Sequence, residues 1–321
     1  MVTDEALSHL QADYRLNARL SVEERLRWII QDRWINYSRA DKILTRLAEL
    51  VCYPPRARMP SVLVFGDSGM GKTHIVEKFI RDHCSGAGPF AGTARVPVAC
   101  VQMPPYPHEK DFYQELLMSL GTVVPEGLSV VSLRHRVRTL ARQLQVRMLV
   151  IDEIHAMLQG TFREQRTFLN ALRFLANDLR IPLICLGTNE AKQALMTDQQ
   201  LADRFEAFYL PAWTDDAAFA QLLKSFEAIL PLQRPSELWD SKMRKRILSL
   251  TDGIMVRICR LLEAASACAI KGAPSQSKWR SSPTSWPMSR SCPSLSVELA
   301  GLLAETPAEL LHYRFEGGPD R

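Results

Sequence analysis

The sequence predicts an α/β protein, a parallel sheet flanked by helices, with a small all-helical domain behind it. Three observations carry this. A short apolar run, Val62 to Phe65, leads into a glycine-rich loop and then a helical apolar pattern through Ile75, Val76 and Phe79. Strand, glycine loop and helix in that order form the geometry that holds a phosphate. Strand-like runs then alternate with helical ones, which implies parallel pairing with helices on both faces. From Asp215 onward the strands stop and amphipathic helical patterns take over.

Residues 1–37 read as an extension with one or two short helices. Glu23, Glu24, Arg25 and Arg27 surround a small apolar set of Leu20, Leu26, Trp28, Ile29 and Ile30. A strap packed on the parent domain and a partner-binding arm fit it equally. A firmer helix begins at Ser38, where Ser38 and Asp41 give an S-x-x-D start signal. Ile43, Leu44, Leu47, Leu50 and Val51 repeat at helical spacing until Pro54 and Pro55 end it.

Beyond the glycine loop and its helix, Ser85 to Pro89 forms a flexible loop. Val96 to Met103 is a second strand. Phe112, Leu116, Leu117 and Leu120 stripe a helix that closes at Gly121, and Leu133, Val137, Leu140 and Leu144 stripe the next. Arg147 to Asp152 is a third strand, followed by a helix marked by Phe168, Leu172, Leu175 and Leu179. Ile181 to Leu186 is a fourth, running into Gly187, Thr188 and Asn189. A short helix over about 190–197 and a brief fifth strand, Phe208 to Leu210, complete the sheet-bearing part. Helices over Phe219–Leu230, Ser236–Leu250 and Ile254–Ala269 form the small domain, with a hinge at Trp213 and Thr214. The domain map is therefore an extension (1–37), a core (38–213), a helical lid (214–270) and a tail (271–321).

That tail is rich in Ser and Pro and carries isolated tryptophans. A disordered linker and a shifted reading frame both explain it. Comparing the other frames for a helical continuation separates the two. Residues 297–313 regain weak amphipathicity.

Composition bounds the function. The 321 residues suffice for a large core with a smaller companion, and 46% apolar residues are typical of a soluble globular chain. A net charge of +5 permits nucleic-acid binding without arguing for it. Seven scattered cysteines without C-x-x-C spacing argue against a zinc site and a disulfide framework, and fit a cytoplasmic location. No run approaches a membrane span, and the N-terminus has no apolar signal core.

The chemistry is concentrated in Gly66, Asp67, Ser68, Gly69, Met70, Gly71, Lys72 and Thr73, a full G-x-x-x-x-G-K-[ST] pattern, with His74 next in line. Its glycines let backbone N–H groups surround a phosphate, and the following helix aims its positive end there. Lys72 can reach the β- and γ-phosphates of ATP and Thr73 can hold Mg²⁺. Asp152, at the end of an apolar strand, is placed to hold Mg²⁺ beside Thr73, and Glu153 to polarise an attacking water as general base. His155 reads as a helix-start residue or a support to those carboxylates. Asn189, with Thr188 beside it, can bond the γ-phosphate or the water. Arg204 can project onto a neighbouring subunit's phosphate or form a surface ion pair with Asp203 or Glu206. Arg257 can sense phosphate from the helical domain, and Arg260, one turn away, is an alternative.

This combination resembles the AAA+ ATPases of the P-loop NTPase class, and most closely the TniB/TnsC group of transposition ATPases. The stretches that carry the likeness are VFGDSGMGKTHIVEKF, VIDEIHAMLQGTFREQR, LRFLANDLRIPLICLGTNEA and LADRFEAFYLPAW, within about 40–265. The resemblance assigns Walker A to Gly66–Thr73, Walker B to Met148–Glu153, sensor 1 to Asn189, the arginine finger to Arg204 and sensor 2 to Arg257. It implies an ATP- and Mg²⁺-dependent homo-oligomer, a ring or helical filament on double-stranded DNA. Such an assembly recruits a transposase and a target-selection adaptor and does not itself transfer strands. Lys110, Arg134, Arg136 and Arg138 are the candidate DNA-phosphate contacts, with a solvated helix face as the alternative for the arginines. A helicase-loader-like ATPase and a signalling NTPase without DNA are the other readings.

Overall fold

The computed structural model describes residues 7–84, 95–196 and 202–272. The Ser85–Pro89 loop and the tail beyond 272 lie outside them. The chain forms two compact units. One is Arg39–Pro211; the other joins the segment up to Ser38 to the segment from Ala212 onward.

The first unit is built on five parallel strands: β1 Ser61–Phe65, β2 Val98–Gln102, β3 Met148–Asp152, β4 Leu183–Gly187 and β5 Phe205–Tyr209, in the order β2-β3-β4-β1-β5. β1 and β4 are buried along their whole length. Strands covered on both faces lack polar alternation, which is why their sequences read as continuous apolar runs. On one face Leu63, Phe65, Val101, Leu149, Ile151 and Cys185 join a core with Phe112 and Leu116 of α4 (Glu109–Ser119), Leu133 and Val137 of α5 (Val130–Gln143), and Phe168, Leu172 and Leu175 of α6 (Phe162–Leu179). The alternate residues Val62, Val64, Val150 and Ile184 face the other way. On that side α3 (Lys72–Cys84) packs on β4 and buries Ile75, Val76 and Phe79. α2 (Ser38–Val51) buries Ile43, Leu47 and Leu50, as its spacing predicts. α7 (Asn189–Met196) follows β4.

Two boundaries differ most from the sequence expectation. The fifth strand begins at Phe205, not Phe208, because its whole length pairs with β1, from Ser61 opposite Phe205 to Phe65 opposite Tyr209. It is an edge strand with mostly exposed side chains, so no apolar run announces it.

In the second unit, the helix expected from Ser236 starts only at Ser241. Glu227, on α8 (Ala217–Ile229), is buried and its carboxylate accepts the backbone N–H groups of Ser236 (2.7 Å), Glu237 (2.8 Å) and Leu238 (3.2 Å). Those donors are held outside a helix, and α9 (Ser241–Thr251) begins after Asp240, whose side chain caps Lys242 N. α10 (Met255–Lys271) completes the helical part.

The N-terminal segment belongs to this second unit. α1 (Val22–Ile29) starts in a capping box between Ser21 and Glu24 and packs on α10. Ahead of it, Leu7, Leu10 and Ala18 form their own buried cluster. Main-chain and side-chain bonds tie the segment to the end of α8 and the turn after it: Gln11 N donates to Ala228 O (2.9 Å), buried Arg25 Nε to Pro231 O (2.8 Å), and Gln233 Nε2 to Ala18 O (3.2 Å). Among the described residues no helix is long and apolar enough to cross a membrane.

Candidate functional site

The site lies at the carboxyl ends of β1, β3 and β4, the edge of a parallel sheet where ligands bind. Each strand delivers one part. β1 ends at Phe65 and the loop Gly66–Gly71 leads into α3. Gly66 is required by crowding: a Cβ there would sit 2.3 Å from the carbonyl oxygen of Leu210. Its N–H donates to Gly187 O (3.2 Å), joining the loop to the end of β4.

Lys72, the first residue of α3, is buried and folds back over the loop. Its Nζ donates to the carbonyls of Gly66 (2.9 Å) and Asp67 (2.8 Å). Burial pulls its ammonium below the usual lysine range, while the charges of Glu153, Asp152 and Asp67 act the other way. Thr73 Oγ1 donates to Asp152 Oδ2 at 2.6 Å. Residues far apart in sequence, one on α3 and one at the end of β3, thus present two hard oxygen donors at one point. His74 turns to Glu77, Nδ1 to Oε2 3.5 Å.

Glu153 follows in a left-handed conformation (φ 54°), its N–H donating to Asp152 Oδ1 at 2.7 Å. That turn leads the chain from β3 into the 3-10 helix Ile154–Gln159. The Glu153 side chain meets His155, Oε2 to Nε2 3.1 Å. Asn189 is exposed at the start of α7, directly after β4, on the same sheet edge. Thr188 Oγ1 donates to the Glu190 carboxylate.

Within the sheet-bearing unit, Arg204 is not brought to this edge. Arg204 precedes β5, and its carbonyl accepts from Ser61 N (2.8 Å) at the start of β1. It therefore sits at the amino end of the sheet, a strand length of roughly 13 Å from the glycine loop's end of β1. Arg257 lies in the helical unit, paired with Asp252. Arg260 is exposed on the same helix.

The DNA candidates divide. Lys110 and Arg136 are exposed. Arg134 is drawn to Glu109 (3.4 Å), which also accepts from Tyr113 Oη. Arg138 makes a two-toothed pair with Asp178 (2.7 and 2.5 Å), joined by Arg142 (2.6 Å). The sequence reading missed Asp178 as the acceptor that ties α5 to α6, and missed Asn177, which accepts from Arg204 Nη1 at 2.7 Å. It also missed the capping box of Thr161 and Glu164 that starts α6, although T-x-x-E was legible.

The family model described as bacterial TniB protein matches residues 25–215, more than half of the chain and all of the sheet-bearing unit. The chain belongs to the TniB family. Solved structures share the fold of this TniB-family chain. The Orc1 protein of Aeropyrum pernix, solved in complex with DNA, superposes with a TM-score of 0.52 at 17% identity, over 76% of this chain and 64% of that one. Cdc6p of Pyrobaculum aerophilum gives 0.51 at 19%, over 74% and 63%. The ADP form of the Aeropyrum pernix ORC2 protein gives 0.53 at 14%, over 89% and 74%. This chain spans just under two thirds of the Orc1 and Cdc6 chains. The architecture is that of the AAA+ P-loop ATPases, a parallel five-stranded sheet with flanking helices and a helical C-terminal part. No curated protein matches the chain significantly.

Proposed function

We propose that this chain is an ATP-dependent, DNA-binding regulator of transposition that oligomerises on duplex DNA and recruits or activates a transposase at the target. The observation that carries the ATPase reading is the 2.6 Å approach of Thr73 Oγ1 to Asp152 Oδ2, beside buried Lys72 and with Glu153 one residue on. Membership of the TniB family supports the link to transposition, and the DNA-bound Orc1 relative supports a fold compatible with DNA.

The side chains present fit Mg²⁺: a hydroxyl and a carboxylate oxygen converge, leaving the other positions to water and phosphate. Bound there, the ion would neutralise phosphate charge. The loop N–H groups would hold the β-phosphate, and Lys72 would exchange its two carbonyl partners for phosphate oxygens. Glu153 would accept the proton of the attacking water once its carboxylate leaves His155, and Asn189 would orient that water. Arg204, at the opposite sheet edge, cannot serve its own subunit's site. It supports a trans role, in which a neighbouring copy receives its charge at the γ-phosphate.

Electron microscopy with a non-hydrolysable ATP analogue, with and without duplex DNA, tests the reading. Rings or filaments that need both nucleotide and DNA are expected. Glu153→Gln should retain ATP and trap that assembly, whereas Lys72→Ala should lose both. A monomer indifferent to DNA would replace this reading with a nucleotide switch acting on proteins.

A further inference from the structure

Arg204 is held both at its backbone and at its side chain. Its carbonyl is fixed by Ser61 N, and Ser61 Oγ also accepts from Leu183 N (3.2 Å), so one serine ties the Arg204 turn to the starts of both β1 and β4. Its guanidinium donates to Asn177, an exposed residue in the last turn of α6, through a 2.7 Å bond from Nη1 to Oδ1. The next residue on the same helix, Asp178, receives Arg138 and Arg142. The two neighbours therefore hold arginines by different chemistry. Asp178 offers a carboxylate, which binds strongly and cancels charge. Asn177 offers a neutral amide oxygen, which fixes a guanidinium's direction and adds no negative charge beside it.

We infer that Asn177 is a positioning residue for the trans arginine: it orients Arg204 on the face of the subunit that a neighbouring copy's nucleotide site would meet. This rests on the reading of Arg204 as acting in trans. The amide holds the long side chain near one geometry before assembly, so less ordering remains to be done when the phosphate arrives. The bond is weak enough to exchange for a charged phosphate oxygen.

The test is Mg²⁺-dependent ATP hydrolysis by the full chain on duplex DNA, for Asn177→Ala, Arg204→Ala and Glu153→Gln, alone and in equimolar mixtures. Asn177 is exposed on a helix and alanine is the better helix former, so the variant should fold and bind ATP as the parent does. Asn177→Ala is expected to lower kcat about tenfold with KM unchanged, a part of the loss from deleting the arginine itself. Mixed with Glu153→Gln copies, whose own sites are dead but whose Arg204 and Asn177 are intact, it should regain activity. Mixed with Arg204→Ala copies it should not. A parental rate in Asn177→Ala, with Arg204→Ala impaired, overturns the inference and leaves the trans reading standing. A loss that Glu153→Gln copies fail to restore shows a role within the subunit and also overturns it. A parental rate in Arg204→Ala removes the trans reading itself.

Discussion

Two glycines set how tightly the residues around the Gly66–Gly71 loop close. At Gly66 a methyl group would enter the Leu210 carbonyl. At Gly187 an added Cβ would lie 2.8 Å from Ala191 Cβ and 2.9 Å from Ile154 Cγ2, where the end of β4, the start of α7 and the turn after β3 crowd together. Gly187→Ala should therefore destabilise the core by about 1–3 kcal/mol through overpacking, read as a lower urea midpoint with an unchanged slope. At this scale the sequence was most informative where chemistry is contiguous. Gly66 to Thr73 is a single stretch whose geometry follows from its residue types, and Asp152 was marked by the apolar strand it terminates. What could not be read were pairings between distant positions. Nothing in the string links Asn177 to Arg204, or Arg138 to Asp178, because those contacts exist only once α6 lies beside its neighbours.

The α5 and α6 helices show how an element is secured beyond its apolar stripe. Asp178 gathers Arg138 and Arg142 from α5, and the hydrogen bond from Arg138, followed by the charge of Arg142, holds its carboxyl below the ordinary aspartate range. A depressed carboxylate contributes stability above the unfolded value, about pH 4, and loses it as pH falls through the folded value. Asp178→Asn should then melt a few degrees below the parent at pH 7, with the gap closing below about pH 4. Thermal melts of both proteins across that range check it. Strand and helix order was legible because buried parallel strands are apolar runs and core-facing helices repeat at 3.6 residues. Boundaries failed where main-chain bonding decided them. β5 is an exposed edge held by its ladder to β1, and α9 starts late because Glu227 holds three N–H groups that a helix would otherwise use.

At the scale of the molecule, the two ends of the described chain meet in one helical unit, with Arg39–Pro211 set between them in sequence. Residues 7–30 supply part of that unit's buried apolar surface and bond to its Ala228–Gln233 stretch at and beyond the end of α8. Deleting residues 1–20 should make the stretch from Ala212 to Gly272 sensitive to trypsin while Arg39–Pro211 stays resistant. Limited proteolysis with mass spectrometry reads both results. The amphipathic helices of this unit could be seen in the sequence. The origin of their last packing partner could not, because hydrophobic periodicity says that a face is covered and not by which distant segment.

This arrangement also imposes an order on synthesis. Residues 7–30 leave the ribosome with their apolar residues ready, yet their partners begin only after the 173 residues of Arg39–Pro211 have been made. At about 5–20 residues per second, the wait is roughly 9–35 s. During it the core can fold around its own sheet while the leading strap stays unsatisfied. The helices after Pro211 then close the unit that residues 7–30 opened, so a chain arrested before α10 would carry a finished sheet-bearing core and an exposed, chaperone-attracting strap.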